Sequence, residues 1–310
     1  MPKSLDENGR EIETLFDGMR PLAKNSGLRI DGFFVWGGSV VRVGDTYHMF
    51  ASRWPEETKF PQGYMTHSEI VRAESSAPEG PYVFKEVVIH GRGGNDWDGQ
   101  MAHNPTIHKA GSDYVLFHNA CAAGSQVRKI GYAAAPSVEG PWERIDKPLP
   151  LSEDANNPAP CFNADGTVRL VFRDHQLNMG IAVAPRYDGP YEVKDFEITP
   201  GIHLEDAYLY AQDGLYHIVC EDNRAQVSGH ERWGVHLISE DGIRNWRAAD
   251  PVVAYTHTVL WEDGTRSVME RRERPQLVFD DEGRVSHLCT GVLYKGQTWC
   301  LVQPVKPQNP

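Results

Sequence analysis

Short apolar runs separated by turn residues extend through almost the whole chain. Residues 39–43 and 46–50 are two such runs, and they flank the pair Gly44-Asp45. Gly-Asp or Asp-Gly between two β-rich runs is a strong hairpin signal. The same arrangement recurs at 104–117, 157–172, 205–219 and 273–288. The pattern therefore predicts five related hairpins.

A second repeated element follows the hairpin in most copies. It is a tight turn that joins Gly and Pro to an aromatic residue, as in Gly80-Pro81-Tyr82, Gly140-Pro141-Trp142 and Gly189-Pro190-Tyr191. A looser version lies near Gly242, and the turn glycines are 49 to 60 residues apart. This spacing is near the ~40–50 residue period of propeller blades. We therefore predict an all-β fold, a five-bladed β-propeller with a central polar pocket; a β-sandwich is the rival, but five regular units favour radial closure.

The predicted propeller occupies residues 31–310 as one domain, after an N-terminal extension over residues 1–30. Residues 11–19 are compatible with a short helix. The formal net charge of -12 argues against nucleic acid and membrane surfaces as partners. No apolar run approaches ~18 residues, and the first twenty residues lack the apolar core of a signal peptide. We therefore expect a cytoplasmic protein, with a secreted or periplasmic one left open for a truncated chain, and the oligomeric state undecided.

The five cysteines are odd in number and show no CxxC spacing. Most of them lie within apolar runs, as Cys220 does after Ile218 and Val219. Buried free thiols are the expected outcome, and they fit a reducing compartment.

Polar residues open the first strand of every predicted blade. Those strands line the channel of a propeller, so their openings should converge on one face. Polar groups at five equivalent strand starts are costly unless they face a solvated pocket. The candidates for substrate binding at these openings and at the hairpin ends are Trp36, Arg53, His103, Asn104, Asn157, Arg173, His203, Asp206 and Arg274. The sequence does not decide whether the far ends of the hairpins, such as residues 221–224, reach the pocket.

The hairpin Ser39–Met49 and the Gly-Pro-aromatic turns resemble those of the five-bladed propeller glycoside hydrolases, the superfamily of glycoside hydrolase family 43. The resemblance implies a glycosidase active in polysaccharide degradation. It also implies that Glu205 is the general acid, since this residue matches the glutamate that opens the inner strand of blade four. The family's blade-one aspartate falls on Gly37-Gly38, and its blade-three aspartate falls on Asn157. Two of the three expected carboxylates are therefore absent.

Glycoside hydrolysis usually needs two carboxyl groups, one protonated and one ionised. The candidates for the missing base are Asp31, before blade one, and Glu273, which opens blade five among three arginines. Neighbouring guanidinium groups should lower the pKa of Glu273, which suits a base or an ion-pair hub. Asp206 should point away from Glu205 if their strand is regular, because side chains alternate along a strand.

The leading function is an exo- or endo-acting glycoside hydrolase on an oligosaccharide, either neutral or anionic (a uronate or sulfated sugar). The alternatives are a phosphorylase or polysaccharide lyase on the same fold and a non-catalytic carbohydrate-binding propeller. The expected partner is a small carbohydrate. No cofactor is required, and the spacing of the histidines contains no HExxH metal motif. The resemblance leaves open a calcium-like divalent cation in the central channel.

Overall fold

A computed structural model of the protein describes residues 3–305. The N-terminal segment contains β1 (Ser4–Leu5) and β2 (Glu11–Ile12). Blade I contains β3 (Phe33–Val43), β4 (Thr46–Pro55), the helical turn α1 (Tyr64–His67), β5 (Glu69–Ser75) and β6 (Val83–Ile89). Blade II contains β7 (Met101–Ala110), β8 (Asp113–Cys121), β9 (Lys129–Ala135) and β10 (Glu143–Arg144), and blade III contains β11 (Asn156–Phe162), β12 (Val168–Arg173), β13 (Met179–Ala184) and β14 (Glu192–Asp195). Blade IV contains β15 (Leu204–Gln212), β16 (Leu215–Asp222), β17 (Gly234–Ser239) and β18 (Arg247–Tyr255). After the hairpin β19 (Thr258–Leu260) and β20 (Arg266–Val268), blade V contains β21 (Arg271–Phe279), β22 (Val285–Tyr294) and β23 (Gln297–Pro304).

The five blades close into a ring through their first strands. Within each blade, consecutive strands are antiparallel neighbours. Strand β3 packs against β7, β7 against β11, β11 against β15, β15 against β21, and β21 back against β3. The predicted all-β fold and five-bladed propeller are therefore confirmed, and the first strand of each blade surrounds the central channel.

Apolar faces of neighbouring blades form the core between them. Val171 and Ile181 of blade III, for example, pack in one cluster with Leu209 and Ile218 of blade IV. All five cysteines are buried and free, as expected from their positions in apolar runs. Burial of alternating side chains from both sheets is what fixes each blade against the next.

The N-terminal segment completes blade V and ties it to blade I. Blade V has three strands, and Leu28 pairs with Cys300 of its outer strand β23 through two backbone hydrogen bonds of 3.0 and 3.2 Å. The neighbouring Gly27 donates its N–H to Glu79 and accepts the N–H of Tyr82, both in blade I. Residues 11–19 do not form the short helix that their sequence allows; they contain β2 and turns. Within residues 3–305, no helix is long and apolar enough to cross a membrane.

Candidate functional site

A β-bulge interrupts every inner strand at the same place. The register with the second strand shifts after Trp36, His103, Asn156, Glu205 and Glu273. The next residue in each strand has a left-handed backbone, with φ between 50° and 61°: Gly37, Asn104, Asn157, Asp206 and Arg274. A bulge re-aims side chains and breaks their alternation. The expectation that Asp206 points away from Glu205 is therefore wrong, since both residues line the same cavity.

The left-handed residues form a polar ring around the channel. Asn104 Nδ2 donates to Asn157 Oδ1 over 2.8 Å, and Asn157 Nδ2 donates to Asp206 Oδ1 over 2.6 Å. Arg274 Nη1 lies 3.9 Å from Asp206 Oδ1. At the fifth position, a Cβ on Gly37 would lie only 3.0 Å from Asn104 Oδ1. The ring thus leaves little room for a side chain where the resemblance expects the blade-one aspartate.

At one end of this ring lies a cavity of about 300 Å³. It is lined by Trp36, Trp54, Phe60, Pro61, Tyr64, His103, Asn104, Arg128, Asn156, Asn157, Glu205, Asp206, Arg232, Arg271 and Glu273. All five blades contribute to this lining. The structure therefore brings seven of the predicted site residues together: Glu205, Glu273, Trp36, His103, Asn104, Asn157 and Asp206.

The other five predicted residues lie outside the lining. Asp31 is exposed in the turn before β3. Arg53 pairs with Glu69 at 2.7 Å and stacks on Phe33. The backbone N–H of His203 donates to the side chain of Gln226.

The remaining two support the lining from behind. Arg173 donates to Glu205, so it acts on the site through that carboxylate. Arg274 is fully buried and donates to the backbone oxygen of Pro158 over 2.9 Å.

Both carboxylate oxygens of Glu205 are held by donors. Arg173 Nη1 donates to Oε1 over 2.6 Å, and Asn223 Nδ2 donates to Oε2 over 2.5 Å. Arg173 ends β12 of the preceding blade, whereas Asn223 follows β16 in the same blade. The side chain of Glu205 is 22% exposed, against 8% for Asp206 and for Glu273. Glu205 is thus the carboxylate most open to the cavity in this group of three.

Asp206 is the buried neighbour of Glu205. Burial raises the pKa of Asp206 to about 7, with the charge of Glu205 adding to the rise and Arg274 opposing it. A like charge beside a buried carboxyl group favours its neutral form. Burial and the neighbouring charge of Glu205 therefore favour the protonated form of Asp206 near neutral pH.

A second carboxylate pair is bridged by one arginine. Arg232 Nη1 lies 2.7 Å from Glu221 Oε1 and 2.7 Å from Glu273 Oε1. Arg271 Nη1 adds a longer contact of 3.4 Å to Glu273. Burial nevertheless raises the pKa of Glu273, against the opposing effect of Arg271 and Arg232. The arginines do lower this pKa, as expected, but desolvation outweighs their charge and leaves the pKa of Glu273 raised.

Asp206, Glu221 and Glu273 have oxygen atoms within 4.8 Å of one another, close enough to share an ion. Calcium takes 6–8 oxygen ligands in proteins. Here the Arg232 guanidinium already bonds two of the three carboxylates, and Asn157 bonds the third. The three residues fit an arginine-bridged cluster better than a cation site. A cation elsewhere in the channel stays a prediction, and no step below depends on it.

Aromatic residues of blade I form the opposite wall. Phe60, from the loop between β4 and β5, stacks on Trp54 with ring centroids 5.8 Å apart and lies 5.4 Å from Trp36. Tyr64 stacks on His103 at 4.4 Å. Burial lowers the pKa of His103 to about 3, so this ring is neutral near pH 7. An apolar wall facing a cluster of charges is the usual composition of a small-ligand site.

Several members of the site were not among the residues predicted from the sequence. Phe60, Tyr64, Arg128 and Arg232 come from loops between the second and third strands of blades I, II and IV. Glu221 pairs directly with Glu205 across the blade IV hairpin. Once antiparallel pairing is assumed, the end of a second strand must lie beside the opening of the first. That argument would have identified Glu221, but it carries no information on the loops.

Comparisons with known proteins bear on the fold. No protein-family model and no curated protein sequence matches the chain. Among solved structures, one described as a glycoside hydrolase aligns with a TM-score of 0.67 at 12% identity, over 94% of this chain and 93% of its own. A family 43 β-xylosidase/α-arabinofuranosidase from a compost microbial metagenome, in complex with xylotriose, aligns with a TM-score of 0.65 at 12% identity over 94% and 97%. A family 117 glycoside hydrolase of the marine bacterium Zobellia galactanivorans aligns with a TM-score of 0.66 at 14% identity over 92% and 88%.

These neighbours cover nearly the whole chain while sharing few residues with it. At such identities the likeness concerns the backbone and leaves the chemistry of the site to be argued from its own residues. The predicted resemblance is confirmed at that level: the chain has the five-bladed propeller fold of the family 43 and family 117 glycoside hydrolases.

Proposed function

We propose that the protein is a glycoside hydrolase that acts on an oligosaccharide bound in the central cavity. The observation that carries the proposal is the arrangement of that cavity. Carboxyl groups in different environments lie on the side of blades IV and V, and a wall of aromatic rings lies on the side of blade I. Such an arrangement can stack a sugar ring on one side and present acid and base groups on the other. The structural neighbours support a carbohydrate partner, because they are themselves glycosidases.

We assign Glu205 as the general acid. Its side chain is the most exposed of the three carboxylates, and it opens the inner strand of blade IV, the position that the resemblance assigns to the acid. Asp206 is its buried neighbour: with its pKa raised to about 7, Asp206 adds little negative charge beside Glu205 below that pH. A positioned general acid contributes roughly 10²–10⁴-fold to the rate.

Glu273 is the proposed base that activates water. Its side chain lines the cavity, and Arg232 and Arg271 hold it in place. Because burial raises the pKa of Glu273, it is a stronger base than an ordinary glutamate once ionised. Asp31, the other candidate, is exposed outside the lining, so Glu273 is preferred.

An anionic sugar fits the guanidinium groups on the rim. Arg128 already donates to both oxygens of Asp154, and Arg232 bridges two carboxylates. Within residues 3–305, Arg271 makes the 3.4 Å contact with Glu273 and a ring contact with Phe60, so most of its N–H donors face no carboxylate of these residues. We therefore propose Arg271 as the contact for a carboxylate or sulfate. Arg271→Met should slow cleavage of aryl uronides far more than that of the matching neutral glycosides.

Leaving-group dependence tests the acid. After a panel of aryl glycosides and uronate oligosaccharides has identified a substrate, Glu205→Gln should lose roughly 10²–10⁴-fold on substrates whose leaving group needs a proton. It should lose far less on the 2,4-dinitrophenyl glycoside, whose leaving group departs unprotonated. Glu273→Gln should be slow on both, and Glu69→Gln, outside the cavity, should match the wild type.

Equal losses on both leaving groups would refute the acid assignment. Formation of sugar phosphate only when phosphate is added would replace hydrolysis by phosphorolysis. An unsaturated product that absorbs in the ultraviolet would indicate a lyase instead.

A further inference from the structure

The shape of the cavity rim, rather than its chemistry, bears on how a polysaccharide could enter. The lining comes from every blade, from Trp36 in blade I to Arg271 in blade V. A cleft that accepts the middle of a chain needs two open ends. Here the side chains that line the cavity come from all five blades.

The loop over residues 56–68 closes the side of blade I. Its tip residue Phe60 reaches toward blade V, where the Arg271 guanidinium lies 5.7 Å from the Phe60 ring. Its other end reaches blade II, where Tyr64 stacks on His103. The loop therefore spans the rim from blade V to blade II.

This loop is anchored as a wall. Gln100 Nε2 of blade II donates to the backbone oxygen of Met65 over 2.6 Å. The backbone N–H of Ala102 donates to the backbone oxygen of Ser68 over 3.0 Å. Ser68 Oγ is also hydrogen-bonded to His103 Nδ1 at 2.8 Å. With Phe60 packed on Trp54, the loop is held at both ends and in the middle.

The volume limits what fits inside. The cavity of about 300 Å³ lies at the lower end of the ~300–1,000 Å³ range of small-molecule sites. It corresponds to about ten waters at ~30 Å³ each. That is room for about one sugar ring with its substituents and the linking oxygen inside the cavity.

We infer that the site is exo-acting: it takes the terminal sugar unit of an oligosaccharide and releases it as a monosaccharide. The inference rests on the proposed hydrolase function and deepens it. The chain end enters the cavity between the aromatic wall and the carboxylates, and the rest of the oligosaccharide remains outside the rim.

Time courses on end-labelled oligosaccharides test this inference. Arabino-, xylo- and galacturono-oligosaccharides longer than trimers, labelled at the reducing end with 2-aminobenzamide, are incubated with the full chain and separated by length. We expect early products that are each shorter by one unit, together with free monosaccharide. Early products from mid-chain cleavage would overturn the inference and leave the hydrolase proposal intact, whereas absence of turnover across the panel would contradict the hydrolase proposal itself.

A variant that lacks two rings of the aromatic wall provides a second test. In the double variant Phe60→Ala and Tyr64→Ala, the rim loses two rings, and mid-chain products should rise at least several-fold relative to monosaccharide. The matched control is Phe196→Ala, which removes an exposed ring far from the cavity lining. An unchanged product pattern in the double variant, with unchanged thermal stability, would show that the wall does not set the mode of attack.

Discussion

Gly291 supports the wall of the site from behind, and replacing it should disturb both stability and binding. The residue lies in the middle of β22, where a Cβ would come within 2.7 Å of Trp36 Cδ2 and 2.8 Å of Trp36 Cε2. Carbon atoms pack best at roughly 3.5–4.0 Å. In Gly291→Ala the indole must therefore move by about 0.8 Å or more. The indole also contacts Phe60, with ring centroids 5.4 Å apart, so its movement should disturb the aromatic wall.

Overpacking of this kind costs roughly 1–3 kcal/mol. For domains of 150–250 residues, 1 kcal/mol shifts the melting temperature by roughly 2–4 °C, and somewhat less for a longer chain. We therefore expect Gly291→Ala to melt roughly 2–6 °C below the wild type and to bind the identified sugar with a raised KM. Differential scanning calorimetry and steady-state kinetics measure the two effects.

A double-variant cycle identifies the cause. Trp36→Leu removes the ring that the new methyl group would strike, so the loss in the double variant should be smaller than the sum of the single losses. Coupling between contacting residues is typically 0.5–3 kcal/mol. Additive losses, or a Gly291→Ala variant as stable as the wild type, would refute the claim that Gly291 makes room for Trp36.

Three further predictions follow from the charged side of the cavity. Asn223→Ala removes the donor that positions Glu205 Oε2, and since a typical hydrogen bond is worth ~0.5–1.5 kcal/mol, kcat should fall roughly threefold to tenfold in steady-state assays. Activity of the wild type on an anionic sugar should decline as pH rises through about 7, where buried Asp206 loses its proton and adds a negative charge to the cavity; in Asp206→Asn this step should be absent from the profile of kcat/KM against pH. Arg232→Met leaves the buried carboxylates of Glu221 and Glu273 without their shared cation, so urea unfolding at pH 8 should show a free energy of unfolding that is lower by ~3–5 kcal/mol. At pH 5 the decrease should be smaller, because the folded variant retains protons on these carboxyl groups that the unfolded chain releases.

Each of these variants has a result that would count against it. Asn178→Ala, which changes an amide outside the cavity, should leave kcat unchanged. If it lowered kcat as much as Asn223→Ala does, the loss could not be assigned to the hydrogen bond between Asn223 and Glu205. A pH profile unaltered by Asp206→Asn would mean that ionisation of Asp206 does not determine the profile. A pH-independent loss in Arg232→Met would assign that arginine to packing alone.

The architecture could be predicted because the same sequence unit recurs five times along the chain. Hairpin turns such as Gly44-Asp45 and Asp213-Gly214 fix where each first strand ends, and the recurrence of five units fixes the number of blades. Closure then brings the strand openings together without further information. For this reason Glu205, His103 and Asn157 could be placed at one site from the sequence alone.

The direction of individual side chains could not be predicted. Alternation along a regular strand separates Glu205 from Asp206, and only the bulge, with its left-handed residue, brings both to the cavity. The bulge depends on contacts between blades, such as the one from Asn157 to Asp206, which no local pattern encodes. Likewise, the loop that carries Phe60 and Tyr64 shows no periodicity. Its position is determined by packing against blade II.

The direction of the pKa shift of Glu273 could not be predicted from the sequence either, because it depends on the balance between burial and charge. Arginines near Glu273 indicate a lowered pKa when only the chain order is known. The structure shows that the carboxylate is almost fully buried, and desolvation reverses the direction. Charge patterns in sequence therefore identify partners, but only coordinates decide whether they outweigh desolvation.

A crystal structure of the Glu205→Gln variant, soaked with an oligosaccharide that the wild type cleaves, tests the central claim most directly. We predict a terminal sugar ring between the rings of Trp36 and Phe60 and the carboxyl groups, with its glycosidic oxygen within hydrogen-bond reach (~2.6–3.2 Å) of residue 205. A sugar bound on another face of the propeller, or one whose scissile bond lies out of reach of both residue 205 and Glu273, would contradict the assignment of this cavity as the active site.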